Sequence, residues 1–360
     1  MPPFPPSDPD HLRRRLEPPS GLVRVVIDTD CANEIDDQFA LAWALLRPDR
    51  LRVEAVTAEP FSFRHHLPGL RAAEAALDGG GVADEALVGG FQGWARRLRD
   101  QGRRVDDLRL VGPEEGMELS HAEILRVVGH LGGRPGLPVL RGAPRYMAGP
   151  GDVVRSEAAE AIVDIAKSGS GDDPLYVAAL GCVTNVAAAL LMAPEIARDL
   201  VVVWTSSYPS TAPHSNRPSL NLVQDLPASR LLFDSGVPLV YIPGYQVGAQ
   251  LRVSLPEIES FVRGRGAIGD YLHHLFTHNP LHAMFGLSDT GRRTWTIWDL
   301  ICIAWLLEPS WVPTHLAPSP VLGDDLHWHQ APGRHLIREA HDVQRDEIFL
   351  DLYDRVDTLR

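Results

Sequence analysis

The sequence predicts an α/β fold, an open, mostly parallel, doubly wound (Rossmann-like) sheet over residues 22–360, preceded by a proline-rich arm at residues 1–21. Three observations predict it. Short β-branched runs at 23–27, 51–58, 175–180, 200–204 and 238–242 alternate with helical patterns and show no internal repeat. The run at 200–204 is apolar throughout, as a central parallel strand buried on both faces must be. Four aspartates, Asp28, Asp30, Asp36 and Asp37, crowd the point where the first strand gives way to the first helix. That is where open α/β sheets bind ligands.

The elements follow in order. The arm, with no apolar stretch, is expected to be extended and is no secretory signal. After the first helix, whose Phe39, Ala42, Trp43 and Leu46 share a face, comes a strand at 51–58. A His- and Arg-rich loop at 62–69 is expected to reach over the sheet, and a helix near 70–77 follows. From 78 to 116 the periodicity is weak and assigns nothing. Residues 117–131 predict a helix with Ser120 and Glu123 spaced as a capping box, and 138–142 a strand and turn. Helices are predicted at 156–167, 186–192 and 228–233, and a histidine-loaded helix at 268–282 runs into a loop. An apolar helix is predicted at 295–307 with Asp299 as its single charge, and residues 316–356 predict edge strands and a final helix.

Composition narrows the function. A formal net charge of −13 argues against a nucleic-acid surface and for a soluble protein. Lys167 is the only lysine, which excludes any mechanism needing one elsewhere. No run of 18 apolar residues predicts a membrane span, so the expected compartment is the cytoplasm. Three cysteines, Cys31, Cys182 and Cys302, have no CxxC spacing, so neither a disulfide framework nor a zinc module is indicated.

The carboxylates point to a cation. Held together, they raise one another's pKa unless positive charge neutralises them. The helix dipole gives Asp36 and Asp37 only about 0.3–1 kcal/mol each. Oxygen-only ligands suit Ca2+ or Mg2+. Because successive helical residues diverge by about 100°, Asp36 and Asp37 are expected to face different partners, one a metal and one a substrate. The plain alternative is an acidic cap with solvated first-turn carboxylates. Asp299, alone on an apolar helix, needs a cation or donor to be buried, and backbone amides are the alternative.

Four segments, in order from residue 22 to 310, resemble the calcium-dependent, inosine-uridine preferring nucleoside hydrolases. The family's Asp-x-Asp-Pro-Gly-x-Asp-Asp block is matched by Asp28-Thr29-Asp30-Cys31-Ala32-Asn33-Glu34-Ile35-Asp36-Asp37, two residues longer. Leu180-Gly181-Cys182-Val183-Thr184-Asn185, Ser219-Leu220-Asn221 with Asp225, and Trp298-Asp299-Leu300 through Glu308-Pro309 resemble the other three. The resemblance implies a nucleoside hydrolase-type sheet and hydrolysis of a ribonucleoside to ribose and base by a Ca2+-bound water. It also implies a homodimer or homotetramer. Carried over, Asp30, Asp37, Asp299 and the Leu180 carbonyl hold Ca2+, and Asp30 is the general base. Asp36 and Asn221 bind ribose hydroxyls. The cysteines become small packing residues beside the ligands, a soft-metal trio being the alternative.

The sequence also departs from the pattern. Trp298 replaces the histidine before the helix aspartate, Ser219 the glutamate before the asparagine, and Ser206-Ser207 a Gly-Gly pair. An asparagine is missing near Phe61 and Ser62. His273, His274, His278 or His282 is expected to supply the leaving-group acid, with His278 and His282 the chosen candidates. Trp298 can stack on a base. Two other classes compete: a non-catalytic, metal-dependent nucleoside- or ribose-binding protein, and a Mg2+-dependent phosphatase, since Asp28-Thr29-Asp30 also resembles the haloacid dehalogenase motif.

Overall fold

The computed structural model describes Phe4 and residues 8–80, 90–169 and 173–359. In chain order its strands are β1 (Val23–Thr29), β2 (Leu51–Ala58), β3 (Val139–Leu140), β4 (Leu175–Ala179), β5 (Leu200–Ser206) and β6 (Leu239–Pro243). Then come β7 (Arg252–Ser254), β8 (Thr294–Thr296), β9 (Thr314–Pro318), β10 (Val321–Leu322), β11 (Trp328–His329) and β12 (Leu336–Ala340). Eight form one sheet in the order β3-β2-β1-β4-β5-β6-β12-β9. Only the β12–β9 pair is antiparallel. Winding reverses between β1 and β4, which opens a crevice at their C-terminal ends. The pairs β7–β8 and β10–β11 stand apart.

Both faces of the sheet are covered, which is why β1 and β5 are buried along their whole length and β5 is apolar from Leu200 to Trp204. Val25 and Ile27 of β1 pack with Phe39, Trp43, Trp305 and Phe349, whereas Val26 packs on the opposite side with Ile162, Leu190 and Phe233. The two-residue period of the strand divides the apolar side chains between two cores.

Several expectations need correction. Residues Pro9–Arg15 form a helix rather than an extended arm, started by the Asp8 carboxylate accepting from the Asp10 N–H at 3.1 Å. Leu12 and Leu16 bury against the domain, and the Arg338 guanidinium donates to the Leu16 carbonyl. The helix expected from 117 begins at Pro113, so Ser120 is interior and its hydroxyl donates to the Gly116 carbonyl. A helix at Gln92–Asp100 occupies part of the unassigned stretch. Pro280 divides the histidine-loaded segment into the helices Gly266–Thr277 and Pro280–Met284. Trp295 lies in β8, and the apolar helix starts only at Leu300. β12 is no edge strand, since it lies between β6 and β9. No helix among the described residues is long and apolar enough to cross a membrane.

Candidate active site

The site is built where β1, β4 and two helix N-termini meet. Asp28, at the end of β1, is a scaffold residue: its Oδ1 accepts from Thr57 Oγ1 at 2.6 Å and from Asn185 Nδ2 at 2.9 Å. Asn185 also donates to the Ala58 carbonyl and accepts from the Ala143 N–H, tying β1, β2 and the Thr184–Met192 helix together. Its neighbour Thr184 donates to Asp225, which caps the Leu226–Asp234 helix. These motif residues therefore hold the frame, and the loop beyond β1 carries the chemistry.

Asp36 and Asp37 open the Asp36–Leu45 helix, and Asp299 is the N-cap residue of Leu300–Leu307. Oxygens of the three carboxylates lie within 4.8 Å of one another, all buried. Although successive helical residues diverge, Asp36 and Asp37 each bring one oxygen within 4.8 Å of an Asp299 oxygen. Helix N-termini favour these charges only modestly. Burial, and then Asp37, raises the Asp30 carboxyl well above the usual carboxylate range. Burial followed by Glu34 does so for Asp36, and burial followed by Asp36 for Asp299. Burial lifts Asp37 to about 6, against the hydroxyl bond it accepts from Thr29. Asp37 Oδ2 is buried with no hydrogen-bond partner. Such a cluster of acceptors, one orphaned, fits a metal ion.

Above the cluster is a cavity of about 500 Å³. Asp30, Asp36, Asp37, Leu180, Ser219, Asn221, Trp298 and Asp299 all line it, so the structure brings together eight of the ten expected site residues. His278 and His282 are not among them. The Gly266–Thr277 helix ends at His278, which is exposed and stacked on His274 with ring centroids 4.3 Å apart. His282 sits behind the wall, its ring edge-to-face with that of Trp295 at 4.9 Å. The histidine on the cavity is instead His66, from the loop expected to cover the sheet. Burial, helped by His65, pushes its pKa down to about 3, so it is neutral.

The Asn221 amide nitrogen and the Ser219 hydroxyl are already committed, whereas Thr205 Oγ1 is buried in the wall with no hydrogen-bond partner. Asn221 Nδ2 donates to the Leu180 carbonyl at 2.6 Å and the Thr205 carbonyl at 3.1 Å. Ser219 Oγ accepts from the Ser207 N–H and pairs with Ser206 Oγ, both at 2.9 Å. Ser207 holds a left-handed φ of 57°, a conformation that favours glycine, and its hydroxyl bond to Asn216 supports it there. Gly181 is a glycine of necessity, for a Cβ there would lie 2.3 Å from Glu59 Oε2 and 2.5 Å from Asp30 Cγ.

Besides His66, sequence reasoning missed four residues. Asn33 and Glu34 line the cavity from within the lengthened acidic loop, which was itself the signal. Glu59, at the end of β2, is buried with neither oxygen hydrogen-bonded, and burial, then Asp28, raises its carboxyl. Tyr245 joins the aromatic wall, edge-to-face with Trp298 at 5.8 Å. The three cysteines are buried and neutral, and none belongs to the candidate metal cluster found among the described residues.

Residues 25–347 match the family model described as inosine-uridine preferring nucleoside hydrolase. The non-specific ribonucleoside hydrolases RihC of Salmonella typhimurium and Salmonella newport are each 31% identical over 140 residues, 38% of this chain and 42% of theirs. The chain thus aligns with about two-fifths of the length of these curated relatives, 42%. Among solved structures, a purine-preferring ribonucleoside hydrolase from Gardnerella vaginalis superposes with TM-score 0.62 at 17% identity, covering 93% of this chain and 98% of that one. A plant nucleoside hydrolase, PpNRh1, gives TM-score 0.60 at 16% identity over 93% and 99%. At these identities the solved structures establish the fold.

Proposed function

The chain belongs to the inosine-uridine preferring nucleoside hydrolase family, and from that premise we propose that it hydrolyses the N-glycosidic bond of a ribonucleoside to ribose and free base. One observation carries the reading: buried acids from β1's loop and two helices converge on one cavity at the sheet's switch point, with no cationic side chain bonded to the triad among the described residues. The donor set is all oxygen, which favours Ca2+. Asp37 and Asp299, which cluster with Asp36, would hold it together with Asp30 and the Leu180 carbonyl, which line the same cavity. When bound, such an ion lowers the pKa of the attacking water and orients it.

Asp30 takes the proton of that water as general base. Asn33 Nδ2, donating to Asp30 Oδ2 at 2.6 Å, leaves the other oxygen for this role. Asp36 and the carbonyl oxygen of Asn221 accept from ribose hydroxyls. As the glycosidic bond breaks, positive charge develops on the ribose ring, and the surrounding carboxylates stabilise it. Trp298 and Tyr245 offer faces and edges for a planar base. The neutral His66 can donate a hydrogen bond to the departing base without a prior proton.

The test is ribose release from a panel of purine, pyrimidine and modified ribonucleosides, with Ca2+, with chelator, and with Asp30→Asn. Release that requires both the ion and Asp30 is the expected result. Nucleoside binding without release from any member would replace the hydrolase with a binding protein, and phosphate release from a phosphoester would replace it with a phosphatase.

A further inference from the structure

The Gln92–Asp100 helix does not line the cavity, but it holds one of its walls. That wall is the carbon-rich one: Phe63, His66, Leu281 and Phe285 line it, and Phe63, Leu281 and Phe285 pack in one apolar cluster. Phe285 lies just past the Pro280–Met284 helix, and a helix that short leaves its last carbonyls without partners inside it. Four consecutive carbonyls there accept instead from side chains of residues 94–103. Trp94 Nε1 donates to the Met284 carbonyl and Arg97 Nε to that of Phe285, both at 2.8 Å. Gln101 Nε2 donates to the Gly286 carbonyl at 3.2 Å and Arg103 Nη1 to that of Ala283 at 2.6 Å. Trp94 also meets the wall from behind. Its buried ring stands edge-to-face with Phe285, centroids 4.7 Å apart, and with His66 at 5.9 Å. One indole thus braces two wall residues from distant segments of the chain.

Resting on the hydrolase reading, we propose that Trp94 and Arg97 are positioning residues for the leaving base: they fix His66 and Phe285 as the wall against which it binds, and so set which nucleosides the cavity accepts. Chemistry assigns this wall to the base. The carboxylates and the Asn221 oxygen suit ribose hydroxyls, whereas Phe63, Leu281 and Phe285 offer a hydroxyl nothing and a flat heterocycle an apolar surface. His66 adds one hydrogen-bonding edge to that surface. A wall carried by a loop and a five-residue helix is free to shift under a ligand. Side chains from one segment, bonded to four successive carbonyls, remove that freedom before the ligand arrives, and preorganisation of this kind strengthens binding.

The test is the double variant Trp94→Phe/Arg97→Met, which keeps an aromatic ring and an unbranched apolar stem while removing both donors. Arg97→Met alone, at a half-buried position, serves if the double variant does not fold. For a ribonucleoside that the wild-type protein cleaves, KM is expected to rise about tenfold or more in the double variant and about threefold or more in Arg97→Met, with kcat within about threefold of wild type. The inhibition constant of free ribose, which meets the carboxylate end alone, is expected to stay within about twofold. Ca2+ affinity, read by titration calorimetry with the metal alone, is expected to stay unchanged. A lower Tm with KM unchanged makes both side chains structural only and overturns the proposal. A ribose constant that rises with KM, or a loss of Ca2+ affinity, overturns it too, because the sugar end has then moved as well. If the wild-type protein cleaves no nucleoside, the hydrolase reading fails separately, and calorimetric binding of the same nucleosides replaces KM. Binding about tenfold weaker in the double variant then supports the brace, and equal binding, or none by the wild type, overturns it.

Discussion

Asn33 Nδ2 donates to Asp30 Oδ2 at 2.6 Å, so the expected general base and the residue that orients it lie in one loop, three positions apart. The bond lowers the Asp30 carboxyl against the burial that raises it. Asn33→Ala removes the bond while Asp30 remains. The expected outcome is a kcat lower by about tenfold with little change in KM, the loss of an interaction worth about 1.5–3 kcal/mol to a charged acceptor being divided between orientation and pKa. The sign of the pH effect follows: without the donor the Asp30 pKa rises, so the acidic limb of the kcat profile moves to higher pH. A merely structural residue would lower Tm and leave that limb in place. Stopped assays of ribose release from pH 5 to 9 measure it.

The raised carboxyls make stability depend on pH in a direction that the ion should reverse. Asp37 stands at about 6 in the folded chain against an ordinary 3.8. Its folded pKa exceeds its unfolded one, so the folded state binds the extra proton between these values. The associated stability is complete below the unfolded pKa and is lost as pH rises through the folded one. Asp30, Asp36 and Asp299 act in the same direction. The metal-free protein is thus expected to lose Tm from roughly pH 4 upwards, and a cation must displace those protons to bind. The rise in Tm on adding Ca2+, relative to chelator, should be larger at pH 8 than at pH 5. His66, held neutral at about 3, works the other way, but it contributes equally with and without the ion and cancels in the difference. Asp299→Asn should abolish the Ca2+-dependent rise at both pH values. Differential scanning fluorimetry at fixed ionic strength measures all of this.

What could be read from the chain follows from how local each signal is. β2 is legible over its whole length because apolar and polar residues alternate through its first half, and β5 because its run from Leu200 to Trp204 is apolar, although the strand continues through the polar Thr205 and Ser206. The acidic cluster is legible because carboxylates so close in sequence demand an explanation, and Asp299 because a charge inside an apolar run does too. The misread segments are those where tertiary contacts override the pattern. Trp295 looks helical beside an apolar run, but it pairs with Val253 across the β7–β8 ribbon. His278 and His282 share a run of helical pattern, but Pro280 breaks it and leaves one histidine in solvent and the other behind an indole. Glu34 is illegible in the sequence because its hydrogen-bond partner, Trp295, lies 261 positions away, which no local period can announce.

Trp298 stands directly before Asp299 in the cavity wall, where its ring meets Tyr245 edge-to-face at 5.8 Å. A tryptophan there offers no ionisable proton, so its contribution is confined to stacking and exclusion of water. Stacking of a base on an aromatic ring is worth about 1–3 kcal/mol, or roughly tenfold to a hundredfold in affinity. Trp298→Ala is therefore expected to raise KM for the best nucleoside by at least about tenfold, and Trp298→Phe, which keeps a face, by less than about threefold. The contrast separates stacking from donation by the indole N–H, since phenylalanine has no such donor. If Phe behaves as badly as Ala, the indole nitrogen rather than the ring face holds the base. The effect should also fall on purines more than on pyrimidines, because the larger ring covers more of the indole. Steady-state kinetics of the two variants on a purine and a pyrimidine ribonucleoside, at saturating Ca2+, settle which surface of Trp298 the substrate meets.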